Sequence, residues 1–136
     1  MMKIGIVVSE WYWEEITSKM LKEAENVARK EKVEVEVFKA PGSFDLPLPA
    51  KKFLRRKDID GVVTLGAVIE GDTDHDKVIS HSLAKTLQEL SLEFEKPVML
   101  GVNGPKMNGE QALARISRSG EVMKACIEMI RKIKGM

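Results

Sequence analysis

Residues 60–69, DGVVTLGAVI, decide how this chain folds. After Asp60, Thr64 is the only polar side chain, and the run is rich in Val and Ile. Such a segment reads as a strand, and its nearly continuous apolar character requires cover on both faces. It therefore belongs at the centre of a parallel sheet. Three other segments share the composition: 3–8 (KIGIVV), 33–40 (VEVEVFKA) and 97–102 (PVMLGV). VEVEVF alternates charged and apolar side chains, the pattern of a strand at an edge.

Helical patterns separate the strands: Glu14 to Lys30, roughly Phe44 to Arg56, Thr73 to Glu95, and Asn108 to Lys134. Ile79, Leu83, Leu87, Leu90 and Phe94 step by three or four, a single buried stripe. Leu113, Ile116, Met123, Ile127, Ile130 and Ile133 form a second stripe, with a break expected at Ser119-Gly120. Alternating strands and helices without hairpin turns predict parallel strands joined by right-handed crossovers, with helices on both faces. The expected architecture is a three-layer αβα sandwich of flavodoxin-like topology, a four-stranded parallel sheet of order 2-1-3-4. In such sheets ligands bind beyond the carboxyl ends of the strands. Function is therefore expected in SEWYWEE, APGSFDLP, EGDTDHDK and NGPKMNGEQ.

The 136 residues fit one domain spanning 1–136. A net charge of +1 supplies no global field toward nucleic acid or an anionic membrane. The single cysteine excludes an internal disulfide framework and predicts a reducing, cytoplasmic setting. The N-terminal apolar run is too short for a signal peptide, and no stretch reaches the ~18 apolar residues of a membrane span.

EGDTDHDK (Glu70 to Lys77) spaces three aspartates around His75. Asp72, Asp74 and Asp76 imitate the start of a calcium loop, but that template then needs glycine sixth and glutamate twelfth. Lys77 and Leu83 stand there instead. His75 and His81 lie ~240° apart around a helix, so they do not share a metal, and no metal site is expected. What remains is a helix start after the central strand. Thr73 or Asp72 can cap it, the acids suit the helix dipole, and free N–H groups can hold a phosphate. His75 can pass a proton near neutral pH.

SEWYWEE holds both tryptophans and the only tyrosine of a chain poor in aromatics. Clustered at a strand end, Trp11, Tyr12 and Trp13 can anchor a flat ligand or a partner surface, or pack a ring on the first helix. APGSFDLP bends at Pro41-Gly42 and opens a helix near Pro47. Phe44 can be core, and Asp45 can hydrogen-bond a polyol. Local sequence alone makes Arg115 and Arg118 solvated charges and Cys126 a small buried residue. No P-loop lysine and no G-x-G-x-x-G pattern accompany the strands.

Taken together, IGIVVSEW, PGSFDLPLPAKK, LGAVIEGDTDHD and KPVMLGVNGPKMNGEQALAR resemble the 6,7-dimethyl-8-ribityllumazine synthase family, in order and spacing and over most of the chain. The short loop before the last helix is similar to the compact archaeal-type branch. The resemblance implies condensation of 5-amino-6-(D-ribitylamino)uracil with 3,4-dihydroxy-2-butanone 4-phosphate, releasing phosphate and water, with no metal or redox cofactor. It implies that Trp11 stacks on the pyrimidinedione, that Ser43, Phe44 and Asp45 line the ribityl chain, and that Val68 and Ile69 present backbone groups to the heterocycle. Leu100 stands where many members carry a phenylalanine that contacts the neighbour's ligand. Gly71, Asp72 and Thr73 would cradle the phosphate, Arg115 would reach in from a neighbouring subunit, and His75 would be the acid/base. A cytoplasmic homopentamer is implied, which in some members assembles into a 60-subunit icosahedral shell.

The chain also departs from the family pattern in its first loop. SEWYWEEIT is one residue longer than the usual loop, and Tyr12 or Trp13 replaces the asparagine that commonly follows the stacking aromatic. Two alternatives stay open on sequence: an archaeal-type riboflavin synthase, which dismutates two lumazines on the same fold, and a flavin-binding or cage-forming protein without turnover. G-D-T-D-H and E-Q-A-L-A-R favour the synthase of lumazine.

Overall fold

The computed structural model describes residues 1–71 and 73–136. Its four strands are β1 (Lys3–Ser9), β2 (Glu34–Ala40), β3 (Gly61–Ala67) and β4 (Val98–Asn103), all parallel in the order β2-β1-β3-β4. The expected 2-1-3-4 flavodoxin-like sheet is therefore present. Every residue of β3 is buried, as its unbroken apolar run requires. β2 lies at an edge, with Glu34 and Phe38 exposed.

Side chains alternate across the sheet with the strand period of two. Ile4, Ile6, Val8, Val63, Leu65 and Ala67 share one core with α1 (Ser18–Lys30) and α5 (Arg118–Lys134). Val7, Val62 and Val68 share the other with α2 (Pro47–Leu54) and α3 (His75–Phe94). Two short turns precede helices: a π-helical turn, Trp13–Thr17, runs into α1, and a 3-10 turn, Ser43–Asp45, leads to α2.

The last helical segment corrects the sequence reading. Asn108 opens a short helix, α4 (Gly109–Ala114), through a reciprocal cap in which its carboxamide accepts from Gln111 N and Gln111 Oε1 accepts from Asn108 N, both at 2.9 Å. The chain then breaks at Arg115 to Ser117, where consecutive amides bond three residues back and tighten the turn. Ser119 and Gly120 lie inside α5 instead, both buried. A Cβ on Gly120 would stand 3.3 Å from Val27 Cγ2, so this glycine marks where α5 crosses α1 closely. Because α4 has its own phase, Leu113 is 46% exposed and Ala112 fills the core position.

At the opposite end of the sheet from the strand carboxyl ends, an ion cluster closes the β1–β2 edge. The Arg56 guanidinium donates to both Glu36 oxygens (2.7 and 3.0 Å) and both Asp58 oxygens (3.0 and 2.8 Å). Lys3 Nζ lies 3.3 Å from each carboxylate. Hydrogen bonds from Arg56 hold Asp58 well below the usual carboxylate range and lower Glu36 as well. Carboxylates depressed in the folded state contribute stability that is present above their unfolded pKa, and it is lost as pH falls toward the folded values. Arg56→Met should therefore melt below the wild type at neutral pH, by a modest amount for so exposed a network. The gap should narrow once pH drops below about 4. Melting curves at several pH values check this, and a gap independent of pH would refute it.

Candidate active site

Every functional segment expected from sequence leaves the carboxyl end of a strand. After β1, Glu10 N donates to Ala40 O (2.7 Å) and Trp11 N to Ser9 Oγ (3.2 Å). Tyr12 then adopts a left-handed conformation (φ 65°, ψ 34°), unusual for a residue with a Cβ. That reversal separates the three aromatics. Trp11, 63% exposed, stands at the rim with its ring edge-to-face against Tyr12 (centroids 6.3 Å apart). Trp13 turns inward against the α1 side of the core, with Lys39 Nζ 4.3 Å from its ring centre.

After β2, the 3-10 turn is held by its own acid: Asp45 Oδ2 accepts from Gly42 N at 3.1 Å. Ser43 docks on the central strand because Gly66 leaves room. A Cβ on Gly66 would stand 2.7 Å from Ser43 Oγ. The Ser43 hydroxyl is buried and bonds to no protein group among the described residues. The hydroxyls of Thr17, Ser80 and Ser119 are likewise buried without a protein partner among the described residues.

After β3, Val68 N donates to Asn103 O and Glu70 N to Met107 O, each at 2.7 Å. Both amides face β4. By the alternation of an extended chain, the Ile69 amide faces the other way, past the end of β1. Beyond the glycine at 71, Thr73 Oγ1 lies 3.1 Å from His75 Nδ1 and accepts from His75 N at 3.4 Å. Asp74, rather than Thr73, occupies the cap position of α3. Thr73 acts instead on the first helical residue.

These segments enclose a cavity of about 240 Å³. Trp11, Ser43, Phe44, Val68, Ile69 and His75, six of the residues singled out in the sequence, line it together. Tyr12, Gly42, Ala67, Asp76 and Ile79 complete the wall. Asp76 and the Gly66–Ser43 contact carried no sequence signal of their own, since an acid in a first helical turn normally faces solvent.

The remaining candidates lie elsewhere. Asp45 borders a neighbouring groove with Phe38 and Leu48. Thr73 and Gly71 are exposed beside His75 without lining the cavity, and Asp72 falls outside the described residues. Leu100 projects from β4 half-exposed. Arg115 ends α4 with its side chain exposed and its carbonyl 3.5 Å from Asn103 Nδ2. A larger groove of about 400 Å³ runs between β2 and α2, lined by Phe38, Leu48, Pro49 and Phe53. It holds no imidazole and lies away from the strand ends.

Comparison with known proteins shows the family. The family model for 6,7-dimethyl-8-ribityllumazine synthase matches residues 1–134. Proteins of that name from Picrophilus torridus and Metallosphaera sedula are each 47% identical to this chain over 98% of its length, covering 98% and 89% of theirs. The one from Methanocaldococcus jannaschii is 38% identical over the full chain and 96% of its own length. A match of that extent, on a chain whose cavity gathers its aromatic rims and imidazole at the strand ends, establishes that this chain belongs to the 6,7-dimethyl-8-ribityllumazine synthase family.

Proposed function

We propose that this chain condenses 5-amino-6-(D-ribitylamino)uracil with 3,4-dihydroxy-2-butanone 4-phosphate to 6,7-dimethyl-8-ribityllumazine, a step of riboflavin biosynthesis. The observation that carries the reading is the shared cavity, in which an indole, a phenyl ring and an imidazole converge. Trp11 and Phe44 give apolar surface for a flat heterocycle, and Ser43 meets a ribityl hydroxyl. Ile69 offers its backbone to the ring edge beside Val68. Asp45, engaged with Gly42, adds an acceptor at the outer end of the polyol.

The chemistry asks for proton transfers rather than a Lewis acid. The 5-amino group attacks the ketone, water leaves to give a Schiff base, phosphate is eliminated, and the ribitylamino nitrogen closes the ring with loss of water. Each step moves a proton at nitrogen, carbon or oxygen near the α3 start, where His75 stands with Nδ1 against Thr73. The phosphate lies beside Gly71 and Thr73 and is neutralised by Arg115 of a neighbouring subunit. Most of the acceleration comes from holding two reactants in register.

Self-association belongs to the same reading. Phe38 on β2, Phe44 in the following turn, Leu48 on α2 and Leu100 on β4 expose apolar surface. A homopentamer would cover such surface and bring Arg115 to a neighbour's cavity. Further closure into a 60-subunit shell depends on the angles between pentamers, and size-exclusion with light scattering tells pentamer from shell by mass. The setting is cytoplasmic on this reading. The lone thiol, Cys126, is buried and burial pushes it up to about 12, which keeps it inert.

The test is direct. Mixing the protein with both substrates should produce lumazine fluorescence, while riboflavin formed only from added lumazine would overturn the assignment. His75→Ala should retain measurable turnover, with kcat lowered about 10²-fold or less, the low end for a general acid–base group. Complete loss in a folded His75→Ala variant would mean that proton transfer outweighs positioning.

A further inference from the structure

We infer that Asp76 is a positioning residue for this site: its buried carboxylate ties the first turn of α3 to the β4–α4 loop and so sets where His75 stands relative to Val68 and Ile69. The inference rests on the proposed condensation and deepens it.

Asp76 is 3% exposed, whereas His75 and Asp74 beside it face solvent. An acid serving only the helix dipole would stay hydrated, as Asp74 does. Burying a carboxylate is costly unless it is well bonded. Asp76 Oδ2 accepts from Lys106 N at 2.9 Å, and this bond leads the causes that hold its carboxyl below the ordinary range. Lys106 itself sits in the left-handed region (φ 61°), so the loop bends at the point where its amide meets Asp76.

The same loop grips the exit of β3. Asn103 O accepts from Val68 N and Met107 O accepts from Glu70 N. One five-residue segment, 103–107, therefore fixes Val68 and Glu70 on one side and the α3 start on the other. Between them lies Gly71, where an added Cβ would meet nothing within 4 Å. Gly71 itself therefore supplies little packing to locate His75. Asp76 restores that location from the far end. Val68, Ile69, His75 and Asp76 all border the cavity, so the tether links the wall that meets the heterocycle to the group that moves protons.

Steady-state kinetics of single and double variants test this. Asp76→Ala should lower kcat about tenfold, with either KM changed less than about threefold, since small misplacements near the reacting atoms cost this much or more. Asp76→Asn keeps an oxygen for the Lys106 amide and should stay within about threefold of wild type. In a His75→Ala background, Asp76→Ala should cost less than about twofold, because the residue it positions is gone. Faster amide exchange at Lys106 in Asp76→Ala but not Asp76→Asn reports the tether itself. An equal loss in both backgrounds, or an Asp76→Asn variant as impaired as alanine, would overturn the inference. If Asp76→Ala does not fold, Asp76→Asn and its Lys106 exchange decide alone. Absence of lumazine from the wild type would instead sink the proposed function, and Lys106 exchange with the His75 ring resonances would still read the tether.

Discussion

Arg115→Ala should lower kcat/KM for the butanone phosphate by roughly 10²–10³-fold, mostly through KM, while leaving aminouracil binding nearly unchanged. Truncating one partner of a close charge pair costs about 2–5 kcal/mol, and a guanidinium meets a phosphate through parallel N–H···O bonds that alanine cannot replace. Arg115→Lys should recover only part of the loss, since an ammonium lacks the fork. The exposed position of Arg115 at the end of α4, outside its own chain's cavity, makes a sharper test possible. If it serves a neighbour, mixing His75→Ala and Arg115→Ala subunits should create sites with both native groups, about one quarter of the total for random mixing in a closed ring. Activity would then rise well above that of either variant alone. If Arg115 acted within its own chain, mixing would only average the two. A mixture no more active than that average would refute the trans arrangement.

Much of the scaffold was legible because strands advertise their burial. The apolar run of β3 required a central place, and the alternating VEVEVF required an edge. The candidate site was legible in part for a related reason: the loops that follow parallel strands all emerge at one end of the sheet, so Trp11, Ser43, Phe44, Ile69 and His75 had to be near neighbours. What escaped depended on contacts between segments distant in sequence. The break in the last helix follows from the Asn108–Gln111 cap and a tightened turn, while Gly120, a weak helix former, is retained by its packing on α1. The sorting of Trp11 from Trp13 hinges on one left-handed residue, Tyr12, whose type does not announce it. The burial of Asp76 depends on an amide thirty residues away. No periodicity carries such information.

Gly101→Ala should produce the largest loss of stability of any single added methyl in the sheet, about 3 kcal/mol or more, the upper range for overpacking a close-packed interior. Its new Cβ would press on the Thr64 carbonyl oxygen well inside van der Waals contact and stand 3.0 Å from Leu65 Cδ2. Backbone cannot turn aside as a side chain can. Nor can β4 drift away freely, because the buried Thr64 hydroxyl donates to Met99 O (2.8 Å) and lies 3.4 Å from Gly101 N as an acceptor. Gly5→Ala offers the contrast. Its Cβ would meet the Phe53 ring at 2.6 Å, but that ring can tilt, so a cost of about 1–3 kcal/mol is expected. Urea titrations that keep the slope and move the midpoint would measure both. A Gly101→Ala loss under about 1 kcal/mol would show that the β3–β4 register yields. The effect should also reach the chemistry. Asn103 ends β4 and the Lys106 loop follows it directly, so a displaced strand pulls on Val68 and Asp76 together. Under conditions where Gly101→Ala remains folded, kcat should still fall, and Lys106 amide exchange should quicken as it does in Asp76→Ala.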